Sequence, residues 1–258
     1  MELGWNSTIG KVNYYLKGIY AFNRNKVIEK SEAAKPYPYM YEAGLPIKQF
    51  IGYQYDGFFS SYDEIASSPQ QFGLTNLKPG DIKYKDINGD GIVDENDQAP
   101  IGYSTVPEMT YSLQLGASYK GFDVSVMFQG AARSSVYLYQ DLGWDNMTGN
   151  YYEEHINRWT PETAATATYP RLTTESGTNN FYSSDFWMYK TDAFRLAKVQ
   201  VTYDLPSKWF KNSFVHGVSA YISGSDLLTI SKERKALELN VGSSPQCRFY
   251  NLGVTATF

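Results

Sequence analysis

The stretch Gln246–Phe258 sets a condition that the rest of the chain has to meet. Tyr250, Leu252, Val254, Ala256 and Phe258 fall on one side of an extended strand, and Asn251, Gly253, Thr255 and Thr257 on the other. Successive side chains of a strand point to opposite faces, so this segment is an apolar band backed by a polar one. It needs an apolar environment on one side and an aqueous one on the other.

The pattern recurs. Residues 1–8 read as the remains of a strand closed by a polar turn between Asn6 and Lys11. Val12, Tyr14, Leu16, Gly18, Tyr20 and Phe22 then alternate with Asn13, Tyr15, Lys17 and Ala21. Tyr111, Leu113, Leu115, Ala117 and Tyr119 follow, and a turn at Lys120-Gly121 leads into Phe122, Val124, Val126 and Phe128, an arrangement that predicts a tight hairpin. Ala197, Val199, Val201, Tyr203 and Leu205 oppose Lys198, Gln200 and Thr202, and Val218, Ala220 and Ile222 oppose Ser219, Tyr221 and Ser223. With the terminal strand this makes about seven strands.

The connections add a second constraint. Those near 6–11, 119–121 and 206–216 are short, whereas those at 24–108, 132–192 and 231–245 are long, and the two kinds alternate along the chain. Outer-membrane barrels have short periplasmic turns at one end and long extracellular loops at the other. The expected fold is therefore all-β: an antiparallel transmembrane β-barrel segment whose last strand runs to a periplasmic C-terminus. Tyr111, Tyr119, Phe122, Tyr203 and Phe258 lie where interfacial aromatic girdles belong. A soluble, secreted, calcium-dependent carbohydrate-binding β-sandwich would share the alternation, and stands as the alternative.

Composition limits the function classes. Charged residues make up 19% of the chain, aromatic residues 16%, and net charge is −4. Without a basic patch there is no footprint for a nucleic-acid backbone. A single cysteine, Cys247, excludes an internal disulfide framework. No run reaches the ~18 apolar residues that a membrane helix needs, a criterion that barrel strands do not meet either.

The acidic stretch Asp86–Asp97 follows the calcium-loop template. Side-chain oxygens stand at Asp86, Asn88, Asp90, Asp94 and Asp97, Gly91 supplies the sharp bend, and Ile92 offers a backbone carbonyl. This spacing predicts bound Ca²⁺ in a structural role. The last position is the shorter Asp97 where Glu is usual, and no helix is expected on either side, so the loop resembles dockerin-type or isolated calcium loops. Catalytic signals are absent by comparison. His155 and His216 fit no zinc-helix spacing, there is no phosphate loop or nucleophile elbow, and Asp56 and Asp63 are two carboxylates among 27 acidic residues. Trp144, Trp159 and Trp187 are candidates for stacking on sugars or for packing the long loops, and Asn6-Ser7-Thr8 and Asn146-Met147-Thr148 match a glycosylation sequon. The chain is not expected to be an enzyme.

Several segments resemble a known family. They include Gly52-Tyr53-Gln54-Tyr55-Asp56-Gly57-Phe58-Phe59, Pro79-Gly80-Asp81-Ile82-Lys83-Tyr84 leading into the acidic loop, Phe128-Gln129-Gly130-Ala131, and Arg158-Trp159-Thr160-Pro161 followed by Tyr169-Pro170-Arg171-Leu172. Phe194-Arg195-Leu196-Ala197, Tyr203-Asp204-Leu205-Pro206 and Ser223-Gly224-Ser225-Asp226-Leu227-Leu228 continue the match. In order, these resemble the C-terminal part of SusC-like TonB-dependent outer-membrane transporters (the RagA/SusC family) of Bacteroidetes. The resemblance implies a 22-stranded, plugged barrel that imports glycans or peptides. It also implies a SusD-like surface lipoprotein partner, TonB acting through an N-terminal part, and outer-membrane lipid around the wall. Signal peptide, TonB box, plug and most of the barrel lack counterparts here, so the chain is expected to be a fragment spanning residues 1–258 of barrel and loop.

Overall fold

The computed structural model describes residues 1–137, 151, 153–175, 177–210, 214–234 and 247–258. They form two compact units. The first comprises residues 1–24, 107–134 and 190–258, and the second residues 25–106 and 135–189.

The first unit is one antiparallel sheet of seven strands: β1 (Glu2–Ile9), β2 (Val12–Phe22), β3 (Met109–Tyr119), β4 (Phe122–Ala132), β5 (Ala193–Asp204), β6 (Gly217–Ile230) and β7 (Phe249–Thr257). Each is hydrogen-bonded to its predecessor, so the sheet is an up-and-down meander. All seven expected strands are present. The first runs on to Ile9, past the expected turn start at Asn6, because Ile9 still pairs with Val12. Gly10 (φ 61°) makes that reversal, and Lys120 (φ 48°) with Gly121 (φ 86°) makes the β3–β4 turn, the double left-handed geometry that suits a two-residue hairpin loop.

Register carries one apolar face across the whole sheet. Trp5 pairs with Leu16, Leu16 with Leu115, Leu115 with Val126, and Val126 with Val199; further along, Val201 pairs with Ile222 and Ile222 with Leu252. This face is open: Leu16 is 43%, Ile222 57% and Leu252 82% exposed, and every buried hydrophobic side chain among the described residues lies in the other unit. A sandwich would bury such a face against a second sheet, whereas these strands form one sheet. Aromatic rings flank the band. Phe122 lies 4.5 Å from Tyr203 at the short-turn end, and Phe194 stacks on Phe128 at 5.4 Å and on Tyr111 at 6.1 Å at the long-loop end. Tyr111 and Tyr119 are eight residues apart on β3, ~27 Å of strand before tilt, against an apolar band of ~25 Å.

One detail departs from simple alternation. Continued through β5, the pattern keeps Ala197 in line with Val199 and turns Leu196 the other way. Instead the register shifts at this point, so that Leu196 pairs with Phe128 and Phe194 with Gly130. The shift continues into β6, where Leu196 faces Leu228 and Lys198 faces Ser225. A bulge sets two residues against one and resets the alternation. The reset keeps Phe194 and Leu196 on the apolar face and brings Arg195 to the polar face, opposite Gln129. Glycines on both faces make room for cross-strand rings: Tyr15 lies over Gly116, Tyr111 over Gly130, and a β-carbon on Gly253 would lie 2.5 Å from the Tyr221 ring.

The second unit is built from the long segments. Among the described residues its one α-helix is α1 (Tyr62–Ser67), started by the Ser61 hydroxyl accepting from the Glu64 amide and helped by Asp63 and Glu64 in the first turn. Short ladders pair Phe50–Gly52 with Ala99–Ile101, Tyr55–Phe58 with Ile82–Tyr84, and Gln70–Gln71 with Ile92–Val93. These lie where only one short β-like piece, Gln49–Phe59, is expected. The core gathers Tyr53, Ile82, Tyr84 and Val93 from the first long segment with Tyr169 and Trp187 from the second. Phe72 stacks on Tyr182 at 3.8 Å, and Tyr53 meets both edge-on. Two long connections thus share one core. No helix among the described residues is long and apolar enough to cross a membrane, which says nothing of strands.

Candidate functional site

The acidic loop is a tightly hydrogen-bonded turn. Asp86 accepts from the amides of Gly89 at 2.6 Å and Gly91 at 2.8 Å. Asn88 and Asp90 accept from the amides of Asp90 and Ile92, both at 2.9 Å. Gly89 (φ 77°) and Gly91 (φ 87°) take the left-handed backbone that the bend requires. Asp97 is fully buried: one carboxylate oxygen accepts from the Ile87 amide at 2.6 Å and the other from the Asp94 amide at 2.9 Å. Asp94 accepts from the Asn96 amide, closing a capping box around the single 3₁₀ turn Glu95–Asp97, a piece of helix not expected from the sequence. The oxygens of the template are thus present on one loop, with Ile92 exposed. Among the described residues, no group of three or more His, Cys, Asp or Glu is placed so that it could hold a metal ion.

The loop follows a heavily bonded polar group centred on Asp81. Asp81 is fully buried, and Arg171 reaches it with Nε at 2.6 Å and Nη2 at 3.1 Å. Asn180 Nδ2 donates to Asp81 at 2.8 Å and the Lys78 amide donates at 2.9 Å. Asn180 Oδ1 accepts from the Ile82 amide, the Tyr84 hydroxyl donates to the Asn179 carbonyl, and Trp187 Nε1 donates to the Asn180 carbonyl. A fork-on-carboxylate pair with its remaining lone pairs filled is the geometry that makes a buried ion pair tolerable. Gly80 (φ 90°) allows the approach, since a β-carbon there would lie 2.5 Å from the Trp159 ring. No local sequence signal marks Asp81 and Arg171 as a pair. They are 90 residues apart, and only the family-like motifs around them marked the region.

At the rim, Lys83 bridges Glu64 at 2.8 Å and Asp56 at 3.5 Å. The Lys83 ammonium, together with the Ser60 hydroxyl and amide, holds the Glu64 carboxyl down at about 2. A carboxyl depressed on folding adds stability above its unfolded value of ~4.3 that is lost as pH falls towards the folded value. Acidification from pH 5 to pH 2 is therefore expected to loosen the wild-type loop unit more than a Glu64→Gln variant; equal loss in proteolysis across that range would exclude the pair as its cause. Tyr55 is pushed up to about 12 by burial, and burial likewise raises Asp185, whose carboxylate accepts from the Tyr55 amide at 2.7 Å.

The other residues singled out by sequence are dispersed. His155 is buried, with its ring 4.6 Å from that of Tyr169. The His216 amide donates to the Thr257 carbonyl in the sheet unit. Trp187 is core, Trp159 packs at Gly80, Asn6 lies on β1, and Trp144 and Asn146 lie outside the described residues.

A single meander with one apolar and one polar face, flanked by aromatic rings, has the architecture of a membrane-barrel wall. Comparison with known proteins agrees. No family model matches the chain. It is 29% identical over 238 residues to TonB-dependent receptor P26 of Formosa agariphila, covering 83% of this chain and 23% of that protein. It is 23% identical over 232 residues to TonB-dependent receptor P3 of the same organism, covering 83% and 22%. The chain thus spans under a quarter of the length of these relatives. Its fold matches the RagAB peptide importer in the open-open state with a TM-score of 0.73 at 18% identity, over all of this chain and 28% of that one. A second structure of the RagAB peptide transporter gives 0.73 at 19%, covering 100% and 29%. The sequence relatives are named as TonB-dependent receptors, and the fold shared with the RagAB importer is that of part of its barrel chain. The names are those of receptors and importers, not of enzymes.

Proposed function

We propose that this chain forms part of the wall and outer loops of a TonB-dependent transporter that imports glycans or peptides across the outer membrane. The observation that carries the reading is the open apolar face running in register through all seven strands. In lipid, that face needs no second sheet, and the strands satisfy their backbone groups along the ladder. In this reading the segments 24–108, 132–192 and 231–245 are extracellular and the C-terminus faces the periplasm. A SusD-like lipoprotein covers the outer end, and TonB acts through an N-terminal part like that of longer relatives. The test is uptake of labelled peptide and oligosaccharide pools by cells carrying the full-length protein or lacking this segment. Uptake that is independent of the segment and of TonB overturns the reading.

The acidic loop belongs to the same proposal as a structural calcium site, with Asp86, Asn88, Asp90, the Ile92 carbonyl, Asp94 and Asp97 as ligands that would converge on the ion by giving up part of their hydrogen bonding to loop amides. Support comes from the ligand spacing and from the two glycines that bend the loop. Titration of CaCl₂ into the full-length protein is expected to show saturable binding that an Asp86→Ala/Asp90→Ala variant loses. No binding heat in the wild type would sink the site.

A further inference from the structure

We infer that the polar face of the sheet carries a carboxylate-recognition site between mid-height and its long-loop end, centred on Arg195 and Lys198. The inference rests on the transporter reading and adds the chemistry of the substrate group.

The bulge in β5 is what creates it. Unbroken alternation would place Arg195 among the apolar side chains; the register shift sets it opposite Gln129 on the polar face. There it lines a hollow of about 370 Å³ together with Thr110, Ser112, Gln129 and Thr191. The rest of the lining is neutral, with apolar side chains such as Ile19 and Ala193 beside these hydrogen-bonding groups, so Arg195 is the charge of the hollow. Its ion partner among the described residues is Asp226, which takes a left-handed backbone (φ 54°) in the shifted stretch of β6. The Nη1–Oδ1 separation is 3.7 Å, beyond hydrogen-bond reach. The guanidinium fork is therefore only loosely engaged by charge and can offer two parallel donors to another carboxylate.

Lys198 stands beside it. Gln129 faces Arg195 and Met127 faces Lys198, two residues apart on β4 and ~7 Å along the strand. Lys198 is exposed and has no ion pair among the described residues. In the same cross-strand row Lys17 pairs with Glu2 at 2.8 Å. Lys17 and Lys198 thus lie at mid-height and Arg195 nearer the long loops, with Glu2 and Asp226 as the carboxylates paired to Lys17 and Arg195. A guanidinium with an ammonium beside it attracts and orients an anionic group. A carboxylate matches the Arg fork, while Gln129 and the hydroxyls suit the amides or hydroxyls next to it. A peptide C-terminus and a uronate both supply that chemistry.

The test is titration calorimetry on the full-length protein in detergent with two probe pairs: tetra-alanine with a free or an amidated C-terminus, and trigalacturonate or maltotriose. At least one carboxylate probe is expected to bind about tenfold or more tightly than its neutral counterpart, in keeping with a charge-assisted contact. Arg195→Gln is expected to remove that preference, Lys198→Gln to reduce it, and Asp226→Asn to increase it. A preference confined to the peptide pair or to the saccharide pair identifies the source of the carboxylate. Equal affinity within both pairs, or a preference untouched by Arg195→Gln, overturns the inference and leaves the uptake test of import standing. If Arg195→Gln does not fold, Asp226→Asn decides, and an unchanged preference overturns the site. Failure of all four probes to bind also overturns it.

Discussion

Arg171→Met is expected to destabilise the loop unit by about 3–5 kcal/mol, the range for removing one partner of a buried ion pair. Asp81 is fully buried, so its charge cannot recover solvent when the guanidinium is lost. The amides of Lys78 and Asn180 still donate to it, but they bring no compensating charge. The pair also joins the first long segment to the second, so its loss should free both. Limited proteolysis of the full-length protein is expected to show faster cleavage within residues 25–106 and 153–189, with the sheet unchanged. The combined Asp81→Asn/Arg171→Met variant is the control, because it removes charge and partner together and should recover much of the loss. If the single variant is as resistant as wild type, the pair does not hold the two segments together. If the double variant is worse than the single, the cause is lost packing and not an orphaned charge.

Val126→Arg tests the environment of the open face. Val126 sits mid-strand between Leu115 and Val199, where a barrel wall meets the middle of the bilayer. An Arg on a lipid face near the midplane is unfavourable by about 2–4 kcal/mol. The expected result is a loss of that size in equilibrium unfolding of the full-length protein from phospholipid vesicles. Ser125→Arg, on the polar face opposite Gln200, is expected to be nearly neutral. Equal, small effects at both positions would show that this face does not meet lipid. A loss at both would indicate a dry core on each side and revive a sandwich-like packing.

Strand positions, the two faces and the division into short and long connections were legible in the sequence because they depend on local sterics. Within a regular strand a side chain and its second neighbour share a face, so Tyr250 to Phe258 could be read without knowing what β7 pairs with. Asp86–Asp97 was legible as a loop for the same reason, since its glycines and acids act within a dozen residues.

What lay beyond reach was decided by partners distant in sequence. Nothing near Ala197 announces a bulge. The shift arises from matching β5 to β4 and β6 at once, and it alone puts Arg195 with Gln129. The two long loops read as separate excursions, yet Asp81 closes on Arg171 and Tyr84 on Asn179 across 90 and 95 residues. Local alternation determined where this chain forms strands and which side of each is apolar. Only long-range packing, where a buried charge must find its partner and a core must gather enough apolar surface to exclude water, decided that the loops make one unit and where the polar wall carries its positive charge.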